Sequence, residues 1–303
     1  GTVFSWGDDQ EGQLGLSTST DRIIPAKVTD GAYGGTLYLG DNQENRIVDI
    51  SCGNFHSLAL ASNGQVFGWG DNSNGQLGDN TTYNRQSPIL VHGSEDISSL
   101  NLREPIHVPA DYSSIQTALN AVGPNDTVFV EPGTYYENIF WPETNGIKLV
   151  SAGDSSNTII DGGAISSVVY INPNTVLIDE TTLISGFTIR NGGGVTSGGG
   201  IFVAGASPTL ESLIIENNHS NQYGGAINMQ FEANVIVRSS LIRNNSSAQE
   251  GGAFRIYRSS PQIMNSEIYN NSSQDGGGLY LVECVNPVLD DLLIFDNEAT
   301  SEG

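Results

Sequence analysis

The stretch Ile242-Arg243-Asn244-Asn245-Ser246-Ser247-Ala248-Gln249-Glu250-Gly251-Gly252-Ala253-Phe254-Arg255-Ile256 decides the fold of this chain, because its pattern recurs on either side of itself. Ile189, Ile215, Ile242, Ile268 and Ile294 are separated by 26, 27, 26 and 26 residues. Two positions on, Asn191, Asn217, Asn244, Asn270 and Asp296 make a second column, with Gly192, Asn218, Asn245, Asn271 and Asn297 beside it. Gly198, Gly224, Gly251, Gly277 and Gly303 make another. Apolar-x-apolar triplets follow the complete glycine clusters: Ile201-Phe202-Val203, Ile227-Asn228-Met229, Phe254-Arg255-Ile256 and Leu279-Tyr280-Leu281.

Such a repeat has to be read before any single element. Helical periodicity is missing inside the unit, whereas short alternating runs between turn residues indicate strands. One unit then makes one coil of a parallel β-helix, and stacked coils lie about 4.8 Å apart. Equivalent residues sit above one another, so isoleucines fill the core and asparagines form amide ladders. Asn217, Asn218, Asn244, Asn245, Asn270, Asn271 and Asn297 are assigned to those ladders as structural residues.

Upstream of the repeat, Ser113-Ser114-Ile115-Gln116 reads as a capping box opening a short amphipathic helix over residues 113–122, which ends at Gly123-Pro124. Its apolar face, Ile115, Ala118, Leu119 and Val122, suits the open end of the β-helix core. From Ser114 through Asp126-Thr127-Val128-Phe129-Val130-Glu131-Pro132-Gly133-Thr134-Tyr135 to Glu137-Asn138-Ile139, the chain resembles the cap and first coil of pectin-lyase-like, right-handed β-helices. Val128, Val130 and Ile139 are expected to point inward. The Asn-Asn…Gly-Gly-x-apolar unit resembles repeats of secreted and surface proteins, among them chlamydial polymorphic outer-membrane proteins and large secreted proteins of marine bacteria. That resemblance implies a fold, and an extracellular or cell-surface bacterial setting.

Residues 1–91 carry a different repeat. Val3-Phe4-Ser5-Trp6-Gly7 with Gly12-Gln13-Leu14-Gly15 recurs 63 residues later as Val66-Phe67-Gly68-Trp69-Gly70 with Gly75-Gln76-Leu77-Gly78. Ahead of the second copy runs Cys52-Gly53-Asn54-Phe55-His56-Ser57-Leu58-Ala59-Leu60, and Asn63-Gly64 suits a hairpin turn. The pattern resembles the repeat of the regulator of chromosome condensation, which implies blades of a β-propeller. Two repeats make an incomplete ring, polar residues 92–104 read as linker, and residues 105–303 are the β-helix. The whole is all-β apart from the capping helix, and the chain is expected to be a fragment.

Eleven Lys and Arg stand against 34 Asp and Glu, a net charge of −23. Nucleic-acid affinity comes largely from basic side chains displacing counterions, so nucleic acid is excluded as a partner. No apolar run reaches the length of a membrane span. Cys52 and Cys284 are expected to pack as small buried hydrophobes. His56 and the Asp71-Asn72-Ser73-Asn74-Gly75 loop are read as repeat chemistry and not as a ligand or calcium site.

Many β-helices cleave polysaccharides, so a site has to be sought. Polygalacturonases carry four motifs, Asn-Thr-Asp, Asp-Asp, Gly-His-Gly and Arg-Ile-Lys, and here only the pair Asp290-Asp291 is present. A pectate-type lyase implies several carboxylates holding calcium beside an Arg or Lys base. Aligning the coils puts Arg258 beside Glu283 with Glu232 one coil back, and Arg255, Tyr257 and Tyr280 nearby. These six are the candidate carbohydrate contacts, with the tyrosines as stacking platforms. No catalytic or metal-ligating residue is assigned, and no cofactor is expected except the calcium that a lyase would require. The expectation is a secreted or cell-surface, adhesin-like scaffold for glycans or surface proteins, with a calcium-dependent polysaccharide lyase as the alternative.

Overall fold

A computed structural model describes residues 1–33, 37–41, 46–92 and 105–302. It divides into two compact units, residues 1–104 and 105–303. Most of the expected linker, residues 93–104, lies outside the described residues.

In the first unit, Phe4–Gly7 pairs antiparallel with Arg22–Lys27. Ile47–Cys52, His56–Ala61, Val66–Gly70 and Arg85–Leu90 form a four-stranded antiparallel sheet in chain order. The propeller-type strands are therefore present, as one complete four-stranded sheet and one strand pair. Trp69 is buried and its Nε1 donates to the carbonyl of Gln13 at 2.9 Å. Gly15 makes room for that ring, since a Cβ there would stand 2.8 Å from Trp69 Nε1. Asp9 and Asn72 hold equivalent loops by accepting the amides of Leu14 and Leu77, each at 2.9 Å. Asp71 accepts from Ser73 N and Gln76 Nε2, so the polar side chains of this loop already serve the repeat turn. Cys52 is exposed because its strand is the outer one of the sheet, contrary to the buried position expected from composition.

The second unit is a right-handed parallel β-solenoid of about seven turns. Its inward column of Ile189, Ile215, Ile242 and Ile268 is fully buried, as are Val128, Val130 and Ile139. Each regular coil turns at three corners built alike. A residue with positive φ turns the chain, and the next residue sends its side chain into the corner. At the first corner Asn217, Asn244 and Asn270 have φ of 56°, 54° and 53° and stand exposed. The amide bonds run through the following column alone. Nδ2 of Asn218, Asn245 and Asn271 donates to Oδ1 of the asparagine one coil on, at 3.0, 3.0 and 2.9 Å. The same Oδ1 atoms accept the backbone N–H of the coil below, for example Asn218 N to Asn245 Oδ1 at 3.1 Å. Asn217, Asn244 and Asn270 therefore belong to the turn and not to the ladder.

The second corner has Phe231, Arg258 and Glu283 at positive φ, followed inward by Ala233, Ser259 and Cys284. Two successive residues, Phe231 and Glu232, take positive φ in the first of these coils. Ser259 Oγ donates to Tyr257 O and accepts Ala233 N, while Cys284 Sγ lies 3.5 Å from Val282 O. The third has Ser212, Ser239, Asn265 and Asp291 at positive φ, with Ser240 and Ser266 as the inward partners. Ser240 Oγ donates to Arg238 O and accepts Leu213 N.

Glycine pairs serve close approach. A Cβ on Gly225 would stand 2.3 Å from Gly252 O and 2.4 Å from Ser246 O. In the next coils the left-handed glycines are Gly251 and Gly276, and Glu250 bridges Asp275. Gly276, one residue before the expected Gly277, is therefore Gly251's counterpart, because this coil spends one residue fewer between its asparagine and its glycine.

The capping helix α1, Ile115–Leu119, is shorter than residues 113–122, and its cap is Ser114 instead of Ser113. Glu137 receives the first helical amides, Ile115 N at 2.9 Å and Gln116 N at 3.0 Å. Gln116 is thereby free to bond the backbone of Phe140 as a strand would, at 2.7 and 2.9 Å. Ile115, Ala118 and Leu119 close the core.

Asn245→Ala removes one amide that serves both neighbouring coils and orphans buried groups. It is expected to lower unfolding free energy by about 2–4 kcal/mol, read by urea denaturation, while Asn244→Ala changes it by under about 1 kcal/mol. A second expectation concerns pH. Backbone amides of Asn174, Thr175 and Val176 and the Thr175 hydroxyl donate to Glu143, with Asn174 N first, lowering its pKa from 4.5 to about 2. A lowered carboxylate pKa stabilises the fold above its unfolded value and loses that effect as pH falls through the folded value. Protection of the Asn174–Val176 amides is thus expected to decline between pH 4.5 and about 2. In Glu143→Gln, protection is expected to be weak already at neutral pH, as hydrogen exchange would report.

Candidate functional site

Four of the six candidate contacts meet around the second corner. Arg255 lies on the outward side of strand Phe254–Tyr257, and its guanidinium carbon stands 4.7 Å from the ring centroids of both Tyr223 and Tyr257. Its Nε donates to Glu250 at 3.1 Å, and the side chain is only 12% exposed. Arg258 stands 4.9 Å over Tyr257 and bonds Glu283 of the next coil at 2.5 Å, with both side chains more than half exposed. That bond is the leading cause of the raised Arg258 pKa.

Tyr280 sits beside Arg255 in register. Glu232 reaches the cluster through its backbone N–H, which donates to Arg258 O at 2.9 Å. Its carboxylate makes no ion pair among the described residues. Tyr257 is already engaged by two of the chain's own cations, so it is a poor platform for a sugar. The accessible ring is Phe231, 52% exposed and edge-on to Tyr257 at 5.7 Å. Coil alignment missed Phe231, Tyr223 and Glu250. The last two stand just before the glycine pairs, where their own column, Tyr223 bridging Glu250, was the available signal.

The remaining arginines of this unit are held in the same way. Arg190 bonds Asp161 at 2.9 Å, Arg238 bonds Glu211 at 3.0 Å and Arg243 bonds Glu216 at 2.8 Å, each across neighbouring coils. Arg243 also donates to the hydroxyl of Tyr269 at 3.1 Å, and Tyr269 stacks on Phe295 at 4.8 Å. Among the described residues no three His, Cys, Asp or Glu side chains gather closely enough to hold a metal ion. His219 pairs with Ser246 at 2.9 Å, and His107 lies 3.6 Å from Glu131.

Fold and register thus define a β-helix with propeller-type strands ahead of it, and comparison with known families agrees. The right handed beta helix region matches residues 145–301, more than half of the chain, and the chain belongs to that family. The regulator of chromosome condensation (RCC1) repeat matches residues 1–60 and 63–107, and a second model of it matches 47–76. Among relatives, human "Probable E3 ubiquitin-protein ligase HERC6" is 40% identical over 99 residues, 32% of this chain and 9% of that protein. Human "Alsin" is 32% identical over 158 residues, 52% of this chain and 8% of its own length. Human "Probable E3 ubiquitin-protein ligase HERC4" is 41% identical over 91 residues, 30% of this chain and 8% of its own. The chain spans under a tenth of the length of these relatives.

Arg255 and Arg258 should separate sharply on substitution. Arg255→Ala loses two ring contacts and a largely buried carboxylate bond, with an expected cost of about 2–3 kcal/mol. Arg258→Ala breaks a solvent-screened pair and should leave the thermal midpoint nearly unchanged. Equal losses in thermal unfolding of the two variants would contradict this assignment.

Proposed function

We propose that this chain is part of a secreted or cell-surface scaffold that binds glycans or surface proteins, in the manner of an adhesin, and leaves them intact. The observation carrying this reading is the use made of the arginines. All five in the β-helix unit are tied to carboxylates, so an arginine base of the kind a lyase uses would first have to be released. The unit's one lysine, Lys148, is flanked in its ladder by Thr127 and Leu183. Stacked, register-locked coils also give a long rigid surface, which suits repeat proteins that present extended binding faces. The resemblance of the coil unit to secreted repeat proteins supports the extracellular setting. With six Lys or Arg against 21 Asp or Glu over residues 105–303, the same unit repels polyanions such as nucleic acids.

The activities named for the relatives belong to proteins of which this chain spans under a tenth. The test is an array of glycans and purified surface proteins probed with the full chain, run beside polygalacturonate with added calcium. Retention on the array without new ultraviolet absorbance from unsaturated uronides is expected. Turnover that a chelator abolishes would establish the lyase instead, and lack of retention on every surface would remove the binding reading.

A further inference from the structure

The third corner carries an open groove of about 350 Å³ that none of the candidate contacts touches. Its floor is Ile214 and Leu241, which point outward from their strands in register with each other, between Thr188 and Glu267. One wall is the column of left-handed corner residues, Ser212, Ser239 and Asn265. Ser155 closes one end, arriving on a loop that Thr188 tethers through its hydroxyl.

The polar groups here differ from their neighbours in one respect. Ser240 and Ser266, one residue further along, spend their hydroxyls inside the corner. The side chains of Ser155, Ser212, Ser239, Asn265 and Glu267 make no hydrogen bond or ion pair among the described residues, and all five line the groove. A cleft with a small apolar floor and several uncommitted polar groups is the usual form of a ligand site.

We propose that this groove is a binding subsite for a neutral oligosaccharide. The proposal rests on the binding-scaffold reading and gives it a ligand class and a place. Charge selects against acidic ligands, because no cation is among the described residues that line the groove and Glu267 would oppose a carboxylate or sulfate. Direction selects against an extended peptide. The groove runs from coil to coil, across the strands, and every edge there is already paired, so a peptide could not add a strand. A pyranose chain offers apolar C–H patches to Ile214 and Leu241 and ring hydroxyls to the serines and Asn265. Glu267 then accepts from a vicinal pair of hydroxyls. Successive walls repeat about every 4.8 Å, a step that suits a polymer of similar units.

Calorimetric titration of the full chain with neutral hexose tetrasaccharides and with acidic uronate tetrasaccharides tests this. The variants are Ser239→Trp, which fills the groove, Glu267→Gln, which keeps its shape, and Phe231→Ala at the other corner. The neutral ligand should bind, weakened at least about ten-fold by Ser239→Trp and about three-fold by Glu267→Gln, and unaffected by Phe231→Ala. Circular dichroism reports whether Ser239→Trp folds, and the exposed Glu267→Gln carries the test if it does not. Binding that depends on Phe231 and not on the groove residues would overturn the proposal while leaving the scaffold reading intact. Preference for the uronate would overturn it as well. Absence of any saccharide binding would overturn it too, and the scaffold reading would then stand on protein ligands alone.

Discussion

Everything regular in the β-helix depends on how a coil turns its corners. One residue enters left-handed backbone, and where the next is a serine or an asparagine its polar side chain points inward, in most coils to a carbonyl two residues back. The same side chain accepts an amide of the neighbouring coil. At the asparagine corner this joins three coils through one group, since Asn245 Nδ2 reaches Ile215 O, Arg243 O and Asn271 Oδ1. Each such bond contributes about 1 kcal/mol net, but leaving its buried partners unmade costs more. The corners therefore fix register more strongly than they add stability. A slip of one residue would break three ladders and turn the isoleucine column out of the core.

Locked register has an electrostatic consequence. Outward positions stack as tightly as inward ones, so a carboxylate on one coil faces whatever its neighbour carries. Arg190 over Asp161 and Arg243 over Glu216 convert that repulsion into attraction. With few basic residues among many acidic ones, nearly every cation is used in this way. Charge recognition of a partner by arginine is thereby costly on this scaffold, which shifts the burden of binding onto shape, hydroxyls and amides.

The asparagine corner was legible in the sequence because asparagine serves both needs, tolerating positive φ and offering a ladder amide. Adjacent columns of the same residue still hid which one did which task, and it takes the backbone angle, the burial and the amide bonds to separate Asn217 from Asn218. The other two corners left no such mark. Their left-handed residues are as different as Phe231, Arg258 and Glu283, and their inward ones are alanine, serine, cysteine or leucine. Gly277 falls out of the left-handed glycine column for a related reason, since one coil is a residue shorter where neighbouring glycines are indistinguishable in sequence. The groove was illegible because Ser155 reaches it from a loop two coils before Ser212, a proximity that follows from stacking and has no sequence period. Family resemblance identified the solenoid and the propeller repeats, but it carried no information about which corner stays chemically free.

The contrast between the two unmarked corners explains where function can reside. A left-handed corner residue has its backbone constrained and its side chain released, so its identity changes from coil to coil without disturbing the ladder beneath. At the second corner that freedom is spent on an aromatic ring and an exposed ion pair, which satisfy one another. At the third it yields serines and an asparagine with no partner among the described residues, beside the outward-facing Ile214 and Leu241. Groups that complete one another define a strut, and groups left incomplete around a cleft define a receptor. By that criterion the Arg258–Glu283 pair, the more conspicuous feature in sequence, is already satisfied within the chain, although its exposure leaves it little to contribute to stability, and the plainer serine corner is the better place to expect a ligand.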